Sequence, residues 1–531
     1  MADFVVTYDV GTTALKTCLF KVGKKIELVA DESEGYALSI MENGGAEQNP
    51  EDWWEAMCTT TKKVLKKSGT KPEDIQGISF CAQMQGLVLV DREGNSVRPA
   101  MSYMDNRAGA QLKKTLKRGI KLDGLNITKL LKSVQITGVV ASSVKDPVWK
   151  YNWVKENEPK NFARIYKWLD VKEYLIHKLT GEFIMTEDSA YATMLLDIRR
   201  NRRQFSPAVC KMLGVSMAHL PKIVKSTDRV GGVTAKAAKE MGLAENTSVF
   251  GGGGDASLIG IGAGAVKPGD THIYIGTSGW VSTVTEKPLL DIDCKIAGIV
   301  GANEKTYNYF AELETAGKCI EWVKSHLAYE ETLARMKQAR IHGDYEDVAV
   351  DLYDYMMDAI SDVPAGSHNV MFTPWLHGNR CPFEDTRARG MFFNIGIETK
   401  KSELIHAVIE GVCYHLGWQL ECIRKKVVPG KKVRLAGGGA LAEKTCQILS
   451  DIINLPVEVT HNPQNAGAMG AAVVSAVGLG LVPSIEAAGS MIAVERTYMP
   501  TASNQQTYSR GFTVFKHLYN NNKKSFGQLN A

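Results

Sequence analysis

A carboxylate follows a run of four glycines in the stretch Phe250 to Val266, FGGGGDASLIGIGAGAV. Glycines let the backbone turn tightly and let a ligand approach the main chain. Asp255, directly after them, is placed to cap a helix or to present its carboxylate to whatever lies over the glycines. Alone, the stretch reads equally as a glycine-rich hinge with a capping aspartate. Other turns shift the weighing. DVGTT offers the backbone amides of Gly11, Thr12 and Thr13 with two hydroxyls, Asp9 just ahead of them and Lys16 beyond. Such a turn holds phosphate oxygens without a helix, and a carboxylate beside it suits Mg2+. By itself it is also an ordinary hairpin tip. Gly276, Thr277 and Ser278 make a second turn of this kind, and Gly437–Gly439 could admit a flat base or a phosphate to the backbone.

Phosphate turns, a metal-facing carboxylate and a carboxylate able to take a proton fit one chemistry, phosphoryl transfer from a nucleotide. No G-x-x-x-x-G-K-[ST] loop is present, so this is not a P-loop enzyme. GGGAL lacks the dinucleotide spacing and the acidic residue on the next strand, which makes a nicotinamide oxidoreductase the weaker reading.

These groups need a scaffold, and the hydrophobic pattern supplies one. Phe4–Tyr8 and Leu15–Phe20 read as strands of a hairpin, and Thr271–Thr283 repeats that design. Two such hairpins, one opening each half, hint at internal duplication. Ile75–Phe80, Val370–Trp375, Lys432–Ala436 and Val457–Thr460 read as further strands. Helices are expected over Glu51–Lys66, Ile165–Leu179, Glu312–His326, Leu327–Met357, Leu441–Ile453 and Ala466–Val477. A long helix over Ser402–Arg424 buries Ile405, Val408, Ile409, Val412 and Leu416. Ala108 to Lys132 reads as a basic, solvated insertion, and the chain from Ser503 as a polar, peripheral tail. Strands alternating with helices define an α/β protein.

At 531 residues the chain exceeds one ordinary core and calls for two domains or more. The formal charge of +5 and the absence of a basic block imply no nucleic-acid partner. The ten cysteines form no C-x-x-C pair and read as reduced core thiols of a cytoplasmic protein. No apolar run approaches the roughly 20 residues that cross a bilayer, so no membrane is expected as a partner. His377 and His415 read as structural or surface residues, and Trp53–Trp54 as core.

The ordered segments DVGTTALK, GGGGDASLIGIGAG, IYIGTSG, FTPWLHGNRCPFEDTRARGMFFNI and LAGGGALAEKTCQILSDIINLPVEV resemble the FGGY carbohydrate kinases, as do EDWWEA, YLIHKLTG and TEDSAYATMLLDI. The resemblance runs from Phe4 to Leu481, and xylulokinases and related pentulose or polyol kinases look most similar. It implies two actin-like, ribonuclease-H-like domains, residues 1–258 and 259–500, with the active site in the cleft between them and a tail over 501–531. It implies ATP and Mg2+, a sugar or polyol acceptor, and a homodimer as an option. By matched position, Asp255 is the general base and Asp9 faces Mg2+. Gly11, Thr12, Thr13, Lys16, Gly276 and Thr277 border the phosphates. Gly317, Gly438, Gly439 and Glu443 fall where the family holds the nucleotide. The sugar side is assigned to Met84, Gln85, Asp105, Asp255 and Ala256. Here the chain departs from xylulokinases, which carry His at the place of Gln85 and usually Asn at that of Ala256. A sugar hydroxyl left unpaired in a closed site costs ~1 to 3 kcal/mol, so the preferred acceptor need not be D-xylulose. The rival reading is an actin-like ATP-binding regulator without transferase activity.

Overall fold

The computed structural model describes residues 3–122, 124–199, 202–328, 330 and 356–530. The first sheet contains β1 (Asp3–Val10), β2 (Ala14–Val22), β3 (Ile26–Gly35), β4 (Ile75–Ala82), β5 (Arg229–Gly232) and β6 (Ser248–Phe250), in the order β5-β6-β4-β1-β2-β3. A short strand β7 (Gly253–Gly254) continues β6 and pairs with Cys81 and Ala82 at the end of β4. The second sheet contains β8 (Thr271–Ile275), β9 (Gly279–Thr285), β10 (Ile296–Val300), β11 (Tyr307–Leu313), β12 (Val433–Ala436), β13 (Val457–Thr460) and β14 (Val494–Tyr498). Its order is β10-β11-β9-β8-β12-β13-β14, with Leu290–Asp291 at the outer edge of β10.

The two sheets share a topology. In each, a hairpin with a third antiparallel strand (β1-β2-β3 and β8-β9-β11) is followed by parallel neighbours on the other side (β4 then β6, and β12 then β13). An antiparallel strand closes each edge, β5 in one and β14 in the other. The duplication suggested by the two hairpins is a property of both whole sheets. Strands inside such a sheet are covered on both faces, which is why Val5, Val6, Tyr8, Val10, Ile78 and Phe80 are all fully buried.

Helix α1 (Pro50–Ser68) covers one face of the first sheet. Asn49 caps it, accepting from the Glu51 amide, and Gly69 ends it in the left-handed conformation. It buries Trp53, Trp54, Met57, Val64 and Leu65. Beside this sheet lies a second cluster around Trp149 and Trp168, which includes α2 (Pro147–Asn157). Helices α3 (Val171–Thr180) and α4 (Glu187–Ala192) connect the two. The glycine stretch leads into α5 (Asp255–Gly262). In the second half, α6 (Lys401–Arg424) and α7 (Glu443–Ile453) pack together. Helix α8 (Ala466–Gly478) leaves the second sheet but packs on the first, against β1, β4 and α5. Close approach there requires glycine. A Cβ on Gly262 would lie 1.8 Å from the Ala466 carbonyl oxygen, and one on Gly470 2.2 Å from that of Leu258.

Several elements differ from the sequence reading. Glu312 lies in strand β11, whose alternating residues pair with β9, and the helix is confined to Gly317–Trp322 before a π turn at Val323–Leu327. The Ile165–Leu179 segment is a short strand, Lys167–Leu169, then Asp170 as cap, then α3. The Ala108–Lys132 segment is not merely solvated, because Gln111, Leu112 and Leu116 of its first helix are buried. Most clearly, the tail is α9 (Gln505–Leu529), which sinks Tyr508, Phe515, Leu518 and Phe526 into the second core. The helix expected over Leu327–Met357 lies largely outside the described residues. All ten cysteines are free and all but the half-buried Cys58 are buried. His415 is buried, accepting from the Trp375 indole at 3.1 Å and bonded to the Cys381 carbonyl at 2.7 Å.

Candidate active site

Asp9 sits near the end of β1, directly opposite Lys16 on β2. Between them the Gly11 amide donates to the Ala14 carbonyl at 3.0 Å, closing the turn. The Tyr36 hydroxyl donates to the Gly11 carbonyl at 2.5 Å and the Gln48 amide to that of Thr12 at 2.8 Å. Gln83 in turn donates to the Gln48 side chain at 3.0 Å. The turn's carbonyls are thereby tied back into the protein, and Thr13 is exposed at its tip.

The turn between β8 and β9 mirrors it, with the Gly276 amide donating to the Ser278 carbonyl at 2.9 Å. The start of the Gly317–Trp322 helix is fastened to this turn, the Gly317 amide donating to Gly276 at 2.7 Å and the Lys318 amide to Thr277 at 3.2 Å. A Cβ on Gly317 would stand 2.4 Å from the Gly276 oxygen, so no other residue fits there. Thr277 is exposed. After β12, Gly437 has φ 92° and lies so close that a Cβ would meet the Ile275 oxygen at 2.4 Å, while Gly438 faces open space. Glu443 opens α7 on the surface and is ion-paired with Arg496.

Asp255 is the first residue of α5, held beside the end of β4 by β7. Its Oδ1 accepts from the Ala256 amide at 2.7 Å. Burial, with the negative charges of Asp9, Glu312 and Asp188 nearby, pushes its carboxyl up to about 7, the Ala256 amide opposing. A base of that proton affinity is matched to neutral pH. Burial also raises the Asp9 carboxyl, against the pull of Lys16 and the Cys81 thiol. The first turn of α8 seats on Asp9, since a Cβ on Gly467 would lie 2.9 Å from Asp9 Oδ2. The Lys16 ammonium donates to Asn465 Oδ1 at 2.6 Å, just ahead of that helix. Among the described residues no group of three or more His, Cys, Asp and Glu forms a metal site. A half-buried carboxylate beside a phosphate-type turn fits Mg2+, which takes one or two carboxylates and completes its shell with phosphate and water.

On the side that the family resemblance assigns to the sugar, Met84 packs against Gly254, where a Cβ would meet its sulfur at 2.2 Å. Gln85 is held in the left-handed region at φ 63°. Its amide and that of Gly86 donate to the two Asp170 oxygens at 3.0 and 2.9 Å, and the buried Lys150 ammonium donates to the Gln85 carbonyl at 2.8 Å. The Ala256 carbonyl accepts from Asn308 of the second sheet at 3.3 Å. Asp105, which the resemblance assigns to the sugar side, is fully buried, accepting from the Ala46 amide at 3.0 Å and the Arg107 guanidinium at 2.6 Å, and so braces the loop. Nearer the cleft, the Tyr103 hydroxyl accepts from Thr12 at 3.4 Å, and Arg380 pairs with Glu312 at 2.9 Å and Glu314 at 2.6 Å. Sequence reasoning assigned no role to Tyr103, Lys150, Asp170, Asp188, Glu312 or Arg380. Asp188 and Arg380 lie in segments whose family resemblance was the available signal.

The architecture is that of a phosphoryl-transfer enzyme: matched turns on two homologous sheets, with a carboxylate of neutral proton affinity beside the first. The chain belongs to the FGGY family of carbohydrate kinases, whose N-terminal domain matches residues 4–262 and whose C-terminal domain matches residues 272–479. It is a sugar kinase, and ATP is the phosphate donor of this family. A xylulose kinase of Bacillus subtilis (strain 168) is 29% identical over 522 residues, covering 98% of this chain and 97% of the relative. The crystal structure of a ligand-bound xylulose kinase from Lactobacillus acidophilus superposes with a TM-score of 0.84 at 24% identity, covering 99% of this chain and 100% of the other. That of a gluconate kinase from the same organism gives 0.83, also at 24% identity, with both chains fully covered. Among the described residues no helix is long and apolar enough to cross a membrane.

Proposed function

We propose that the protein transfers the γ-phosphoryl group of Mg-ATP to a primary hydroxyl of a neutral pentulose or polyol. The observation that carries this is Asp255, a carboxyl raised to about 7 at the end of a glycine turn, beside Asp9 and the Gly11–Thr13 turn. In this reading Asp255 takes the acceptor's proton as the hydroxyl attacks. The amides and hydroxyls of Thr12 and Thr13 on one sheet and of Thr277 on the other, at the turn Gly276 closes, hold phosphate oxygens, with Lys16 adding positive charge. Asp9 would hold Mg2+, which supplies charge neutralisation on the phosphates when bound. Gly438 leaves the backbone open to the nucleoside, Gly439 lets the loop pack against Ile275, where a Cβ would lie 2.4 Å from its side chain, and Gly317 fixes the phosphate turn.

The surroundings of Asp255 favour an uncharged acceptor over an aldonate. Asp9, Glu312 and Asp188 all act on it as negative charges, and Arg380 is already paired with Glu312 and Glu314. A substrate carboxylate would meet that negative field, with Arg380 already engaged by Glu312 and Glu314. Gln85 and Ala256 set the acceptor apart from that of a standard xylulokinase site. A cytoplasmic setting and self-association as a dimer accompany this reading. The test is ADP release with Mg-ATP across ketoses, polyols and aldonates, beside Asp255→Asn. Turnover on a neutral acceptor that vanishes in the variant is the expected result. ATP binding with no acceptor-stimulated release would favour a non-transferring switch, and preference for an aldonate would overturn the neutral-acceptor reading.

A further inference from the structure

Behind the glycine turn lies a group of buried polar side chains that face neither solvent nor cleft. Lys172 and Glu173 on α3, with Thr186, Asp188 and Ser189 at the start of α4, are each no more than 2% exposed. The Lys172 ammonium contacts Glu173 and Ser189 and donates to Thr186 Oγ1 at 2.6 Å, and lies 4.0 Å from Asp188 Oδ1. Asp188 Oδ1 accepts from the Thr186 hydroxyl and, at 2.9 Å, from the Ser189 amide. Its other oxygen reaches out of the cluster, accepting from the Gly254 amide at 2.7 Å. Gly254 immediately precedes Asp255 and pairs with Ala82 of β4.

We propose that Asp188 is a positioning residue for phosphoryl transfer: its carboxylate, oriented by Thr186 and Lys172, fixes the Gly254 amide and thereby the direction in which Asp255 meets the acceptor hydroxyl. This rests on the reading of Asp255 as base. The geometry leaves little slack. A Cβ on Gly253 would lie 3.0 Å from Asp188 Oδ2, and one on Gly254 would collide with Met84, so the peptide is gripped from the cluster side and the sugar side at once. Burying a lysine with two carboxylates costs solvation that an apolar cluster would not, and the return here is a fixed charge-assisted hydrogen bond to the residue next to the base. Burial alone would raise the Asp188 carboxyl. Lys172, Thr186 and the Gly254 amide instead hold it below the usual carboxylate range, so it stays ionised and able to accept. Asp188 itself touches no substrate in this arrangement, which separates its effect from that of a binding residue.

The test compares Asp188→Ala, Asp188→Asn and Thr186→Val in the full-length protein. Two readouts are used: steady-state kinetics with the best acceptor and Mg-ATP, and amide hydrogen exchange of the peptide spanning Gly251 to Gly262. Asp188→Ala should lower kcat about 100-fold with both KM values within about threefold of the parent, because the base loses its direction and part of the negative charge that raises its proton affinity, while neither substrate loses a contact. Asp188→Asn keeps an oxygen for the Gly254 amide and should recover at least tenfold of that loss. Thr186→Val, the variant least disruptive to packing, should lower kcat about tenfold. Exchange of the Gly251–Gly262 peptide should rise at least tenfold in Asp188→Ala while that of the β1 peptide stays unchanged. Equal kcat in all four proteins, a loss seen in KM alone, or unchanged exchange at the glycine turn would overturn the proposal. If Asp188→Ala does not fold, Thr186→Val decides by the same readouts. If the parent shows no acceptor-stimulated ADP release, the kinase reading fails by itself, and exchange still reports whether Asp188 fixes the turn.

Discussion

Replacing Asp255 by Asn should make the protein more stable, and increasingly so as pH rises. The carboxyl is raised from 3.8 to about 7 by burial and by neighbouring negative charge. Three units correspond to about 4 kcal/mol at 1.36 kcal/mol each. The sign follows from linkage. The folded protein holds this proton to higher pH than the unfolded chain, so the unfolded state binds fewer protons between about pH 4 and pH 7, and stability falls as pH rises through that window. Asparagine carries no proton to lose and keeps an oxygen for the Ala256 amide. Its advantage is therefore close to nil below pH 3, about 2 kcal/mol at pH 5, and about 4 kcal/mol above pH 8. At roughly 2 °C per kcal/mol for a unit of this size, the melting midpoint should rise by about 4 °C at pH 5 and about 8 °C at pH 8.5. The assay is thermal unfolding of both proteins in chelator without nucleotide, so that no cation or phosphate alters the site. The difference between the proteins, rather than either midpoint, carries the result. Equal shifts at the two pH values, or a lower midpoint in the variant, would refute burial and like charge as the source of the raised affinity.

Gly317→Ala places a methyl 2.4 Å from the Gly276 oxygen. It should displace the second phosphate turn and raise the KM for ATP about tenfold while leaving the acceptor KM unchanged, as read from steady-state kinetics. Deleting residues 505–531 removes Tyr508, Phe515, Leu518 and Phe526 from the second core. At about 1.5 to 3 kcal/mol of burial for a large apolar side chain such as Phe or Leu, the second domain should not remain folded, which soluble yield and limited proteolysis would show.

The site was more legible in the sequence than the packing that supports it. Turns advertise themselves through glycine and hydroxyl residues, so the Gly11–Thr13, Gly276–Ser278 and Gly251–Asp255 segments could be placed before any coordinates. The duplicated hairpin could be seen because both copies keep an apolar strand on each side of the turn. The misreadings occurred where short-range pattern and long-range pairing compete. YNYFAEL alternates as a strand, but the helix-prone residues after it drew Glu312 into a helix. The last segment is polar in composition, yet Tyr508, Gly511, Phe515 and Leu518 repeat at helical spacing and form a narrow buried stripe. Lys172 and Asp188 carried no local signal, since what defines them is a meeting of two helices and a loop from distant parts of the chain. The bracing contacts of Asp105 were hidden for the same reason, because its partner Arg107 is close in sequence but the Ala46 amide is not.

The two carboxylates at the centre of the site share a scaffold that the second phosphate turn does not. Asp9 ends a strand of the first sheet, and Asp255 is tied to the neighbouring strand by Gly253–Gly254 and to α4 by the Asp188–Gly254 bond. Their spacing is therefore set within one rigid layer. Gly276 and Thr277 belong to the second sheet, and the two halves meet at the glycine-faced pair α5 and α8, where α4 packs on β10, and where Asn308 donates to the Ala256 carbonyl. In the proposed reading, a rotation of one layer on the other would leave Asp9 and Asp255 where they are and change chiefly their distance to the second turn. Duplication of the fold thus provides two phosphate turns, and asymmetry between the copies places both acidic groups on one of them. In the proposed reading, a nucleotide held by the second turn would meet a base whose place is already set within the first layer.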